Sequence, residues 1–235
     1  MKEIRYAAVN GKQIPVLISD DNEALLAAGA AGGAIVGLWD GQGKGTAAPY
    51  AVEALSDITE ELLERVARRH LGLPWRICET RRLLVREMIG DDFDELWTSQ
   101  VGRGFGSVEE LEAYTKHQYA FYEFGFWALV EKETGELAGV AGLRVPEADG
   151  EADRELVCLE LLNGREAAGD GETVLELGYH IFSRYRRRGY GLEACAGILE
   201  YGREELGADR FLVRIRKENA PSLALAEKLG FRGKK

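Results

Sequence analysis

Residues 179–231 read YHIFSRYRRRGYGLEACAGILEYGREELGADRFLVRIRKENAPSLALAEKLGF, and this stretch decides the fold. It begins inside an apolar run, Leu175 to Phe182, which predicts a strand. Arg186-Arg187-Arg188-Gly189-Tyr190-Gly191 leads from that strand into a helix, whose stripe Leu192, Cys195, Leu199, Gly202 and Leu206 keeps a 3.6-residue period. A second β-rich run, Phe211 to Ile215, is followed by Asn219-Ala-Pro-Ser222, a helix start with proline in the first turn, and Leu229-Gly230-Phe231 ends that helix. Glycine tolerates dihedrals that a side chain forbids, so Gly189 and Gly191 let backbone N–H groups turn toward one point. The first turn of the helix adds free N–H donors and the positive end of its dipole, and three arginines add formal charge. These features predict a ligand that carries phosphates.

The spacing R-x-x-G-x-G from Arg186 to Gly191, the Asn219-x-x-Ser222 helix and the terminal "EKLGF" together resemble the cofactor-binding half of GNAT N-acetyltransferases. The resemblance implies an acyl-CoA N-acyltransferase fold, acetyl-CoA as co-substrate and no metal. It places Ile181, Phe182, Arg186, Arg187, Arg188, Gly189, Tyr190, Gly191, Leu192, Asn219 and Ser222 at the cofactor. In the family the strand before the loop splays from its neighbour, and Ile181 would by position donate its N–H to the thioester carbonyl. A preoriented donor of that kind is worth a few kcal/mol in the transition state. Many members carry a tyrosine acid seven residues after the asparagine that matches Asn219, where this chain has Ala226. Tyr179, Ser222 or a water then remain as proton donors to the leaving thiolate. Glu176, an acid inside an apolar strand, is the candidate base, because a raised pKa would let it accept a proton near neutral pH. The alternative, a carboxylate that orients a neighbouring strand or its arginines, stays open beside it.

Upstream, Thr80-Arg-Arg-Leu-Leu-Val-Arg-Glu87 predicts a strand, and Asp91-Asp92 with Glu95 a helix start. This order is similar to the opening of the branch that includes ribosomal-protein N-terminal acetyltransferases, so the resemblance covers residues 76–231. Ser107-x-x-Glu110 is a capping box opening a helix toward Tyr122. Phe126–Lys132 and Leu137–Val145 form a hairpin across Glu133-Thr-Gly-Glu136. Between Pro146 and Thr173 two loops rich in Gly, Asp and Glu bracket Glu155–Leu162, a strand-like run where the family joins its strands more directly. Only Arg-Gly-Lys-Lys follows Phe231, so the usual final hairpin is truncated and the strand Phe211–Ile215 is expected at an uncovered edge. A second copy of the chain, giving a homodimer, or the Glu155–Leu162 run would cover it.

The first 75 residues form a separate unit. Lys12–Ser19, Ala34–Trp39 and Tyr50–Leu55 are strand runs, and helices are expected over Asp20–Ala28 and from Asp57, with Glu60 at its cap, to His70. The alternation implies a small parallel sheet. The pattern from Val16 to Thr59 resembles the closing part of haloacid-dehalogenase-type phosphatases, without their nucleophile strand. Asp20 and Asp21 end a strand, where α/β sheets bind ligands, and equally suit a helix N-cap. Gly41-Gln-Gly43-Lys44-Gly45-Thr46 lacks the G-K-[S/T] order of a phosphate loop.

The 235 residues carry a net charge of −10, unevenly spread. Thirteen basic and seven acidic residues lie between Arg184 and Lys235, a net of +6, against −16 for the remainder. An acidic body disfavours nucleic acid, while a basic end suits a local polyanion such as coenzyme A. Three scattered cysteines, Cys78, Cys158 and Cys195, imply neither disulfides nor zinc, and a cytoplasmic location is expected. The longest uncharged stretch, Ala24 to Trp39, is too short and too rich in Ala and Gly for a membrane span. The expected function is transfer of acetyl from acetyl-CoA to a primary amine, of a small molecule or a protein N-terminus, by direct attack. A non-catalytic acyl-CoA-binding or assembly module is the alternative.

Overall fold

Asn10 and Gly11 both adopt positive φ, 49° and 76°, and fold Lys2–Val9 (β1) back on Lys12–Ser19 (β2) as an antiparallel hairpin. Two consecutive left-handed residues match the right-handed twist of the strands, which is why Asn-Gly is the favoured pair there. The computed structural model describes residues 1–42, 45–99, 105–147, 155–162 and 172–233. The chain falls into two units: Met1–Trp75 with Ala113–Glu123, and Arg76–Glu112 with Phe124–Lys235.

In the first unit Asn22–Ala30 (α1), Ala34–Leu38 (β3), Ala51–Val52 (β4) and Glu60–His70 (α2) follow the hairpin. The sheet order is β1-β2-β3-β4, with β2, β3 and β4 parallel. The expected all-parallel sheet is therefore mixed, because β1 alternates too weakly in polarity to declare itself and takes its place through the Asn10-Gly11 turn. Tyr50–Leu55 yields only the two-residue β4, and Leu55–Asp57 winds into a 3-10 turn. Asp57 accepts the Ala54 N–H at 2.9 Å within that turn, and Thr59 caps α2 by accepting the Leu62 N–H at 3.1 Å. Asp57 is thus taken by the turn before the helix begins. Leu63, Val66 and Ala67 of α2 pack on Val16, Ile18 and Val36, a buried cluster in which each large side chain contributes about 1.5–3 kcal/mol.

The second unit contains Arg76–Glu79 (β5), Leu83–Glu87 (β6), Phe93–Thr98 (α3), the start of Val108–Tyr122 (α4), Phe126–Glu131 (β7), Leu137–Arg144 (β8) and Leu156–Leu162 (β9). Val174–Ile181 (β10), Tyr190–Glu204 (α5), Arg210–Arg216 (β11), Ala220–Leu229 (α6) and Arg232–Gly233 (β12) complete it. The predicted Thr80–Glu87 strand is shorter than expected: Thr80 N–H bonds Leu83 O at 2.8 Å, closing a turn before β6. Ser107 Oγ accepts the Glu110 N–H at 3.3 Å, while Glu110 reaches back to Gly106 N–H rather than to the cap residue itself.

The sheet runs β12-β9-β11-β10-β8-β7-β6-β5, and every neighbouring pair is antiparallel except β10 and β11. The edge expected at β11 is covered. Strand β9 pairs along its whole length, from Arg210↔Leu162 to Arg216↔Leu156, and β12 pairs outside β9 at Glu160 and Leu159. The run between Pro146 and Thr173 therefore supplies the strand that covers β11; the loops at 148–154 and 163–171 lie outside the described residues. Helix α5 packs on β8 and β10 through Ala194, Cys195, Ile198 and Gly202, with Gly202 against the Phe211 ring.

Candidate functional site

Strands β10 and β11 pair only from Val174↔Arg210 to Glu176↔Leu212. Beyond that point β10 stays with β8 to Ile181↔Gly139 and β11 stays with β9 to Arg216↔Leu156, so the two central strands part and leave an opening. Successive N–H groups of a strand point to opposite sides. Phe182 N–H goes to Ala138 O on the β8 side at 2.9 Å, which turns the N–H of Ile181, and that of Tyr179, into the opening. The Ile181 carbonyl shares that side and accepts from Arg186 Nε at 2.9 Å.

A 3-10 turn at Ser183–Tyr185 carries the chain from β10 to Gly189, whose φ of 85° excludes β-branched replacements. The first protein-bonded amide of α5 is that of Glu193, to Gly189 O at 3.1 Å. Among the described residues, the amides from Arg187 to Leu192 make no close hydrogen bond to a protein carbonyl, and with the dipole of α5 they suit an anion. Gly191 is needed for a different reason. A Cβ there would stand 2.9 Å from Leu225 Cδ1 and 3.4 Å from Ile181 Cγ1, so this glycine lets α5, α6 and β10 meet at the helix start.

The three loop arginines divide their work. Arg186 reaches back to Ile181 O and lies 3.5 Å from His180 Nε2, and Arg187 is exposed with φ of 59°. Arg188 turns away from the loop amides, its guanidinium 5.4 Å from the Tyr185 ring and 5.1 Å from the Tyr190 ring, with Glu131 at 3.5 Å. Tyr190 is buried and donates its hydroxyl to Glu131, so that its backbone, not its ring, faces a ligand. That bond raises the Tyr190 pKa and lowers that of Glu131. Phe182 is buried with its amide committed to β8, and Leu192 stands half-exposed on the first turn.

Residues outside the motif support it. Arg82 lies 4.3 Å over the Tyr190 ring, donates to Arg188 O at 2.9 Å, and binds Glu193 through both its amide and its side chain. Thr80 Oγ1 donates to the same carboxylate at 2.7 Å. Burial alone would push Glu193 up, and these hydrogen bonds hold it below the usual carboxylate range. Nothing local in the sequence points to Arg82, Glu131 or Glu193, because each acts through a partner far along the chain.

On the other bank of the opening, Asn219 caps α6, its side chain accepting the Ser222 N–H at 3.3 Å. Tyr179 spans toward this turn, its hydroxyl 3.5 Å from Ser222 O, and burial raises its pKa. Ala226 is buried in α6. Cys195, beside Tyr179, is pushed up to about 12 by burial. Glu176 is 3% exposed, with Arg144 at 2.5 Å on one oxygen and Arg214 at 3.7 Å on the other. Among the described residues no group of three His, Cys, Asp or Glu could hold a metal, and no helix is long and apolar enough to cross a membrane.

A parallel strand pair that parts beside a glycine-led helix start defines the class: a mixed α/β fold with an opening between its two central strands. The chain belongs to the GNAT acetyltransferase family, whose acetyltransferase (GNAT) domain model matches residues 82–232. It is similar to the uncharacterized N-acetyltransferase YnaD of Bacillus subtilis, 37% identical over 62 residues, 26% of this chain and 36% of that one. It also resembles the uncharacterized protein YkkB of B. subtilis, 28% identical over 109 residues, 46% of this chain and 51% of that one. The chain thus spans from 36% to 51% of the length of these curated relatives. Among solved structures, a putative GnaT-family acetyltransferase from Bordetella pertussis superposes with a TM-score of 0.49 at 23% identity, over 67% of this chain and 89% of that one.

Proposed function

We propose that this protein transfers the acetyl group of acetyl-CoA to a primary amine by direct attack. The observation that carries the reading is the parting of β10 from β11 after Glu176 and Leu212, on the strand that leads into the Arg187–Leu192 amides. Those amides fit a pyrophosphate, and the free edge of β10 fits an extended amide-bearing arm that pairs like a strand. Ile181 N–H, aimed into the opening, steadies the thioester oxygen as it gains negative charge. Arg186 and Arg187 supply charge to the phosphates, and Asn219 and Ser222 hold the α6 turn that forms the opposite wall.

Tyr179 fills the chemical role that Ala226 leaves open. Its hydroxyl is at the α6 turn, and its raised pKa keeps the phenol protonated, ready to donate to the departing thiolate. Cys195 stays a thiol, which favours direct attack over an acyl-cysteine route. Glu176, with a guanidinium on each oxygen, orients β8 and β11 around the groove and belongs to the acceptor wall. Asp21 caps α1 through the Glu23 N–H at 2.9 Å, a structural role that favours no phosphoester chemistry.

Calorimetry with acetyl-CoA tests the amide site: Gly189→Val is expected to abolish binding while the fold persists, and binding equal to the parent's would overturn the placement. Ala226 favours a second reading, a module that binds acyl-CoA without turnover. Thiol release from acetyl-CoA on addition of amines separates the two.

A further inference from the structure

Strand β10 alternates, so Glu176, Gly178 and His180 lie on one face while Leu177, Tyr179 and Ile181 face α5 and α6. The Phe126 ring lies over Gly178, where a Cβ would approach it to 2.7 Å, and this sets an apolar floor between two polar ends. At one end is Glu176, engaged by Arg144 of β8 and Arg214 of β11. At the other is His180, half-buried, directly before Ile181 and within the part of β10 that β11 has left.

We propose that His180 is the group that takes the proton of the acceptor amine. The assignment rests on the acetyl-transfer reading above and names a residue for a step that reading leaves without one. A base must stand within hydrogen-bond reach of the attacking nitrogen. His180 is adjacent in sequence to the Ile181 amide that faces the thioester oxygen, and it projects from the face away from α5 and α6. The charged groups around it are Arg186, 3.5 Å from Nε2, Arg216 exposed on the same face of β11, and the Glu176–Arg144–Arg214 cluster farther down; Val140 is its apolar partner on β8. Burial first, and the Arg186 charge second, lower its pKa, so the imidazole is neutral at neutral pH; its one lone pair is on Nδ1, or on Nε2 where the acceptor amine displaces the long Arg186 contact.

The step balances. The acceptor arrives as an ammonium and gives one proton to His180. Its nitrogen forms the C–N bond as the C–S bond breaks, Tyr179 protonates the departing thiolate, and the second amine proton restores the phenol. The imidazolium releases its proton to water.

Thiol release is measured from about pH 5.5 to 9, the span in which imidazoles titrate, with spermidine and a free-N-terminus pentapeptide as acceptor probes. Acetyl-CoA affinity is followed by calorimetry. His180→Gln is expected to lower kcat about 100-fold, the usual scale for a lost general base, with acetyl-CoA affinity unchanged. The acid limb of the parent's profile, centred below the ordinary histidine range, is expected to vanish in that variant. Imidazole added to His180→Ala should restore turnover, which a purely structural histidine would not allow. A His180→Gln protein that keeps the parent's kcat and acid limb overturns the assignment alone. A parent that binds no acetyl-CoA, or releases no thiol with either probe, overturns the acetyl-transfer reading and this inference with it.

Discussion

Arg188 sits in the middle of the R-x-x-G-x-G motif and yet its guanidinium is held between two tyrosine rings and Glu131. A charge in a motif can therefore serve the frame of a site instead of its ligand. Arg188→Gln is expected to weaken acetyl-CoA binding less than Arg186→Gln does, a ranking that calorimetry reads directly. Tyr179→Phe should lower kcat about 100-fold if the phenol is the acid. Because burial raises the Tyr179 pKa, the donating form persists to higher pH, and the basic limb of kcat should lie above the ordinary tyrosine value. Glu176→Gln leaves Arg144 and Arg214 facing a neutral amide. Breaking a pair of this burial is expected to cost about 2–3 kcal/mol in urea unfolding, and an unchanged midpoint would show that the two arginines have other partners enough.

Helix α5 depends on a clamp at its first turn, where Thr80 and Arg82 converge on Glu193. The carboxylate's pKa is depressed in the folded chain, so the clamp's contribution is complete above the unfolded value and is lost as pH falls through the folded one. The urea midpoint of the parent should therefore drop across the acid range more steeply than that of Glu193→Gln. Strand β9 makes a second dependence. Leu159→Pro removes a donor from a strand that is paired on both sides at that residue, and should lower the unfolding midpoint. The same change should expose the β11 edge and raise the apparent mass in light scattering. The sequence made α5, β11 and α6 legible because their signals are local: a 3.6-residue stripe, an apolar run, an Asn cap. It did not make β1 legible, and it offered the Glu155–Leu162 run only as one of two covers for β11, without the register that the structure shows. A register between residues 156–162 and 210–216 leaves no periodic trace, and the Asn10-Gly11 turn that announces β1 was the one local sign available.

At the scale of the molecule the charge is lopsided, +6 over residues 184–235 and −16 over the rest. Acetyl-CoA affinity is expected to fall with added salt, and the KM of a cationic amine to rise, since both ligands meet charge of opposite sign. A KM for spermidine that stays flat between low and high ionic strength would remove the acidic body from acceptor recognition. The Arg187–Leu192 amides, Ile181 and the loop glycines of the candidate site are proposed from the motif itself. Arg82, Glu131 and Glu193 could not be read from it, because their roles exist only once β5, β6 and β7 are side by side with α5.

The pairing of β9 with β11 also sets an order of events in synthesis. Strand β9 leaves the ribosome about fifty residues ahead of the strand it must join. At ordinary elongation rates that is a wait on the order of 3–10 s, much longer than a hairpin needs to form. Throughout that interval the nascent chain displays Leu156-Val-Cys-Leu159 with neither side of its backbone satisfied, and the sheet is sealed only when Arg210–Arg216 emerges.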